Sequence, residues 1–152
     1  MTEYFIHTNL TGYNQTSVPY SIEMLKVKDG CFTSFQAFLE VPDGVIWEVE
    51  KPTIENTITN AELFRILSTE VAADGPIYTY NAPLLNVYFR SIYGESVNRF
   101  LLGGSFISLM EIFRFKNPYE RYSIARACEF YQIDYSNPLV ALYFLKQKMA
   151  QM

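Results

Sequence analysis

The stretch "SIEMLKVKDGCFTSFQAFLEV", Ser21 to Val41, limits the fold of this chain more than any other. Its first half alternates apolar and polar residues, the period-2 mark of a strand with one buried face. Asp29-Gly30 follows, a dipeptide suited to the left-handed positions of a tight hairpin turn. The second half returns as another strand, with Phe32, Phe35 and Phe38 among its large residues. An antiparallel hairpin is therefore expected here. "YFIHTNL" before it reads as a further strand ending at Thr11-Gly12, and Pro42-Asp43-Gly44 closes this three-strand opening.

Beyond an irregular stretch from Val45 to Thr57, the pattern turns helical. Thr59 with Glu62 three residues on forms a capping box, and Leu63, Ile66 and Leu67 make one apolar face. Asp74-Gly75-Pro76 stops that helix and leads into "IYTYN", a short strand. "APLLNVYFRSIYG" then predicts a helix with Leu84, Leu85, Tyr88 and Ile92 at helical spacing and Gly94 as its stop. "RFLLGGSFISL" predicts a fifth strand, interrupted by Gly103-Gly104. Asn117-Pro118-Tyr119-Glu120 predicts the start of a helix carrying the stripe Ile124, Ala127, Cys128 and Tyr131. Asn137-Pro138 opens a final helix that is apolar nearly all round at first, with Lys146 and Lys148 suited to its negative pole. Strands first, then alternation, then helices: the expectation is one α/β domain over residues 1–152, without repeats or linkers.

Composition excludes several classes. Hydrophobic residues are 49% of the chain and charged residues 18%, which rules out a disordered chain. The net charge of −4 argues against a surface that attracts nucleic acid everywhere, while leaving room for a local basic groove. Cys31 and Cys128 stand in no metal-ligand spacing and fit a reduced, cytoplasmic compartment. The N-terminus lacks the pattern of a signal peptide, and no run approaches the ~18 apolar residues of a membrane span. With 12 Tyr and 12 Phe, much of the aromatic content is expected in the core, and some of the tyrosines on a contact surface.

Taken in order, several local words resemble the DEDD-type 3′–5′ exonucleases of the ribonuclease H-like fold, most nearly the epsilon-subunit branch of DNA polymerase III. "YFIHTNLTGYN" is similar to that family's first motif, "FDxETTG". "ENTITNAEL" is similar to its "GITDEML" segment, and "DGPIYTYNAPLL" to its second motif, "GPLVAHNAPFD". "SLMEIFRFKNPYERYSIARACEFYQID" resembles the stretch that follows, and "SNPLVALYFLKQKM" stands where the third motif, His-x(4)-Asp, opens the last helix. The resemblance covers almost the whole chain and implies a five-stranded mixed sheet flanked by helices. It also implies chemistry: four carboxylates holding two Mg²⁺ or Mn²⁺ ions, with a histidine as general base.

Carried across by residue, that site is absent. The acidic positions of the first motif fall on His7 and Asn9 and that of the second on Leu85; the histidine of the third falls on Asn137 and its aspartate on Leu142, or on Pro138 and Tyr143 after a one-residue slip. Independently of alignment, there is no Asp or Glu from Tyr4 to Gly12, from Asn81 to Gly94, or from Tyr135 to Met152. His7 then reads as a structural strand histidine and Asn137 as a helix cap. Asp74 and Glu95, which flank the second motif, are the acids left to supply an unusual site. Neither catalytic residues nor a cofactor or metal are expected.

The resemblance leaves three readings. The leading one is a catalytically inactive exonuclease-like module that works through a protein partner or self-association, as in a dimer, within replication or repair. An alternative keeps the family's groove and binds nucleic acid, through Arg114, Lys116, Tyr119, Arg121, Tyr122 and Arg126, where cations and aromatics interleave; Glu111, Glu120 and Glu129 dilute that group and favour a solvated helix face instead. The third is a 3′–5′ exonuclease with a displaced metal site.

Overall fold

The computed structural model describes residues 2–13, 16–71 and 75–150. In chain order these form β1 (Thr2–Leu10), β2 (Pro19–Lys28), β3 (Cys31–Phe38), α1 (Asn60–Glu70), β4 (Ile77–Thr79), α2 (Ala82–Tyr93), β5 (Ile107–Ser108), α3 (Leu109–Lys116), α4 (Ile124–Phe130) and α5 (Pro138–Ala150). The five strands make one mixed sheet in the order β3-β2-β1-β4-β5. The β1–β2–β3 half is antiparallel; β4 runs parallel to β1, and β5 parallel to β4.

The expected hairpin forms with Lys28 opposite Cys31, and Asp29 and Gly30 take φ of 52° and 79°. Two successive left-handed residues are what a right-twisted hairpin requires, and Asp and Gly tolerate them best. Strand alternation then sorts β1 between two cores. Tyr4 and Ile6 enter one layer with Leu63 and Leu67 of α1 and Ala82, Leu85 and Phe89 of α2. Phe5 enters the other, with Leu109, Phe113, Ala127, Cys128, Leu142 and Leu145 from α3, α4 and α5. Helices thus cover both faces, α1 and α2 on one and α3 to α5 on the other. Fully burying a leucine such as Leu142 or Leu145 contributes about 1.5–3 kcal/mol.

Helix starts follow local chemistry. The Thr59 hydroxyl accepts from the Glu62 N–H at 3.1 Å and donates to its carboxylate, so the capping box is present. The Asn137 carboxamide oxygen accepts from the Leu139 and Val140 N–H groups, capping α5. In α2 the fully buried stripe is Ala82, Leu85 and Phe89; Leu84, Tyr88 and Ile92 are half-buried on its flank. Phe89 stacks edge-on with Phe106 at 5.3 Å and Phe100 at 6.2 Å, which turns the helix toward that aromatic group.

Two sequence expectations are corrected. The fifth strand shrinks to Ile107–Ser108, because Gly94–Arg99 and Leu102–Gly104 coil into 3₁₀ turns with Gly103 and Gly104 at positive φ. Asn117 does not begin a helix. It ends α3, a helix that Ser108 caps at the Glu111 N–H, and its carboxamide donates back to the Phe113 carbonyl. Pro118 blocks continuation, and the next helix starts instead at Ser123, whose hydroxyl accepts from the Arg126 N–H. Lys146 also departs from its expected role: it reaches Glu3 of β1 at 2.6 Å rather than the end of its own helix. Among the described residues no helix is long and apolar enough to cross a membrane.

Candidate functional site

At the carboxyl end of the parallel strands, where open α/β sheets place ligands, lies a cavity of about 160 Å³. His7, Thr8 and Leu10 of β1, Thr79, Tyr80 and Asn81 at the end of β4, Leu84, Leu85 and Tyr88 of α2, and Ile124 of α4 line it. Among the described residues, no Asp, Glu, Lys or Arg side chain lines that wall.

Alternation puts His7 and Asn9 on the Phe5 side of the sheet, beneath α3 to α5. The His7 Nε2 lies 3.3 Å from the Asn9 carboxamide oxygen, and the Asn9 amide donates to the Ser21 hydroxyl at 2.8 Å. Burial pushes the His7 pKa below its ordinary value, against the hydrogen bond to Asn9 and the charge of Glu23, which both favour the imidazolium. His7 is therefore neutral at pH 7.

Carboxylates do come near this end from places the motifs do not cover. Glu23 of β2 sits directly opposite His7 in the antiparallel register. Glu48, in the irregular stretch after β3, places a carboxylate oxygen 3.3 Å from the Tyr13 N–H, at the Thr11-Gly12 turn. A Cβ on Gly12 would stand 2.4 Å from that oxygen, so a larger residue there would displace the Glu48 side chain. Sequence reading missed both. Neither had a local signal: the Asp29-Gly30 turn sets the β2–β3 register, not the β1–β2 pairing that brings Glu23 opposite His7. Among the described residues no three His, Cys, Asp or Glu side chains group closely enough to hold a metal ion.

The other positions of interest scatter. Leu85 and Leu142 are 3% and 0% exposed, in the cores on opposite sides of the sheet. Asn137 spends its carboxamide on the α5 cap and lines a separate groove with Glu23, Ser34 and Gln36. Tyr143 packs edge-on against Phe5 and Phe32. Asp74 lies outside the described residues, and Glu95 is exposed in the Gly94–Arg99 turn.

The cation and aromatic group on α3 and α4 is only partly assembled. The Arg114 guanidinium stacks 4.4 Å over the Tyr122 ring, with Phe115, Pro118 and Glu120 around the same hollow. Arg126 is committed to Glu120 at 2.8 Å and Glu129 at 3.3 Å. Tyr119 and Phe115 project almost wholly into solvent, and Lys116 and Arg121 are exposed. Tyr80 ties this loop to the cavity by donating its hydroxyl to the Tyr122 carbonyl, and burial raises the Tyr80 pKa well beyond its ordinary value.

The chain matches no protein-family model and no curated protein sequence. Among solved structures it is similar to Exonuclease X in complex with 5′ overhanging duplex DNA, with a TM-score of 0.59 and 14% identity, over 95% of this chain and 89% of that one. At that identity the likeness establishes the fold: an exonuclease-like, ribonuclease H-like α/β architecture.

Proposed function

We propose that this chain is a non-catalytic exonuclease-like module that acts through macromolecular contact, with protein as its first partner. One observation carries the reading. Where the resemblance assigns four carboxylates, the chain has a neutral His7, its hydrogen-bond partner Asn9 and two leucines packed in the cores, and where it assigns the general-base histidine, a capping Asn137. Mg²⁺ and Mn²⁺ are held by several anionic oxygens. An imidazole, carboxamides and the single carboxylate of Glu23 opposite His7 do not fit a pair of such ions, and no catalytic step is derived through them. The exposed aromatics supply the contact surface this reading needs.

The decisive assay incubates the purified chain with labelled single-stranded DNA or RNA and Mg²⁺ or Mn²⁺. The expected outcome is no shortening of the strand. Progressive shortening that disappears in Glu23→Gln or Glu48→Gln would replace this reading with that of an exonuclease with a displaced site.

A second reading, nucleic-acid binding without cleavage, draws on Arg114 stacked over Tyr122 beside the exposed Phe115 and Tyr119. The structural neighbour's DNA complex is in keeping with it. It predicts salt-dependent binding of a single strand without metal, weakened by Arg114→Ala.

A further inference from the structure

We propose that the partner is a second copy of this chain, joined edge to edge through β3 in an antiparallel pairing centred on Ser34. The proposal names the partner for the contact reading above and rests on it.

β3 is the edge of the sheet. The direction of its backbone groups follows from the bonds around its end. The Leu39 N–H points inward, to the Tyr20 carbonyl at 2.9 Å. The Phe38 carbonyl and Glu40 N–H point outward, to Ile58 at 2.9 and 3.2 Å. By strand alternation Phe32, Ser34 and Gln36 also turn their N–H and C=O groups outward. Among the described residues, none of those groups has a backbone partner across that edge.

Sheet edges are ordinarily guarded by charges, proline, bulges or a covering segment. β3, "CFTSFQAF", has no charged residue and no proline, and it keeps an unbroken register with β2. Cover is present only past its end, where Ile58 bridges Leu39. The open run therefore extends from Cys31, just after the hairpin turn, to Ala37, and Ser34 is its midpoint.

That bounded symmetry selects the occupant. A two-fold axis through Ser34 lays the open run onto itself, placing Phe32 opposite the second copy's Gln36 and Ser34 opposite Ser34. All three outward-facing residues of each copy then find hydrogen-bonding mates, because they fall opposite one another in the same phase of the ladder. Charge points the same way. Two copies each carrying −4 repel, and the uncharged edge is a place where they can meet without like charges face to face. Beside this edge, on the α5 side of the sheet, Phe32, Val140 and Phe144 leave much of their apolar surface exposed, with Tyr143 linking Phe32 to Phe144. Their position flanks the pairing rather than the cavity.

Sedimentation equilibrium of the full chain across a wide concentration range tests the idea. The expected result is a monomer–dimer equilibrium that Ser34→Lys, and separately Gln36→Lys, weakens by at least about tenfold, since like or unpaired charges then enter the strand pair. Val87→Ser, on the solvent-exposed face of α2, leaves the equilibrium unchanged. In a Cys31→Ser background, Ser34→Cys forms a disulfide-linked dimer under mild oxidation far faster than Thr33→Cys. A chain that stays monomeric throughout, a dimer indifferent to both lysines, or equal cross-linking at the two positions would each overturn the proposal. Incubating the same samples with a labelled strand and Mg²⁺ separates the two claims. Cleavage by an intact dimer removes the non-catalytic reading alone, and a monomer that does not cleave removes the pairing alone.

Discussion

The two halves of the sheet have been finished differently. The parallel half, β1 with β4 and β5, is covered on both faces and holds a small cavity whose wall, among the described residues, carries no Asp, Glu, Lys or Arg side chain. The antiparallel half extends into β3, most of whose residues are exposed and whose outer edge is open from Cys31 to Ala37. In an exonuclease-like fold the first region is where chemistry would be sought. At the second, among the described residues, the outward backbone groups of Phe32, Ser34 and Gln36 have no backbone partner across the edge. Shared architecture thus says little about which part of a molecule does the work.

That contrast can be broken most forcefully at Leu142. Leu142→Asp, which writes an acid at a position the family resemblance assigns to one, buries an uncompensated carboxylate in the layer under α5. It is expected to cost more than about 4 kcal/mol and to abolish the cooperative urea transition, whereas Leu142→Ala costs about 2–5 kcal/mol. If the acid were tolerated and bound Mn²⁺, the core there would be a site in disguise.

A smaller effect is expected at Asn137. Removing its two cap bonds in Asn137→Ala should cost about 1 kcal/mol, read as a shift of the denaturation midpoint. A much larger loss would assign the carboxamide a role beyond capping.

His7 sharpens the comparison through pH. Burial holds its folded pKa below the ordinary histidine value, so the unfolded chain binds the proton more readily. The stability held by neutral His7 is complete above the unfolded value and is lost as pH falls from there through the depressed folded value. His7→Gln should flatten this part of the profile, measured as the difference in midpoint between the two proteins from neutral pH downward. Equal slopes would mean that the imidazole is not held neutral by its surroundings.

At the other end of the scale, Ser34→Lys should change the stability of the isolated subunit by less than about 0.5 kcal/mol, since the position is exposed. Only association should respond. A large loss in dilute solution would mean that β3 needs its own serine to fold.

What could be read from sequence alone was what is fixed by neighbours along the chain. Asp29-Gly30 announces its hairpin because the turn needs two left-handed residues in succession. Thr59 and Asn137 announce their helices because the cap bonds reach only two or three residues ahead. Helix α3 was hidden because "ISLMEIFRFK" is short and apolar, and such a run fits a strand as well as a helix until its ends are known. The motif at Asn117 misled for a related reason: Asn-Pro can open a helix or follow one, and here the asparagine bonds backward to Phe113. At the candidate site, the lack of acids along the motif windows was legible. Glu23 facing His7 and Glu48 against Gly12 were not, since each depends on strands or loops meeting across long sequence separations.

One pair of contacts bears on how the molecule is made. Phe5, at the middle of the sheet, stacks on Tyr78 and is roofed by Tyr143 of α5, while Lys146 of the same helix grips Glu3 and lies over the Tyr78 ring. β1 emerges from the ribosome early and α5 late, so one side of the central strand stays bare through most of translation. A chain that lacks α5 therefore leaves Phe5 and its neighbours without that cover, the kind of exposed apolar surface that makes incompletely folded chains prone to aggregate.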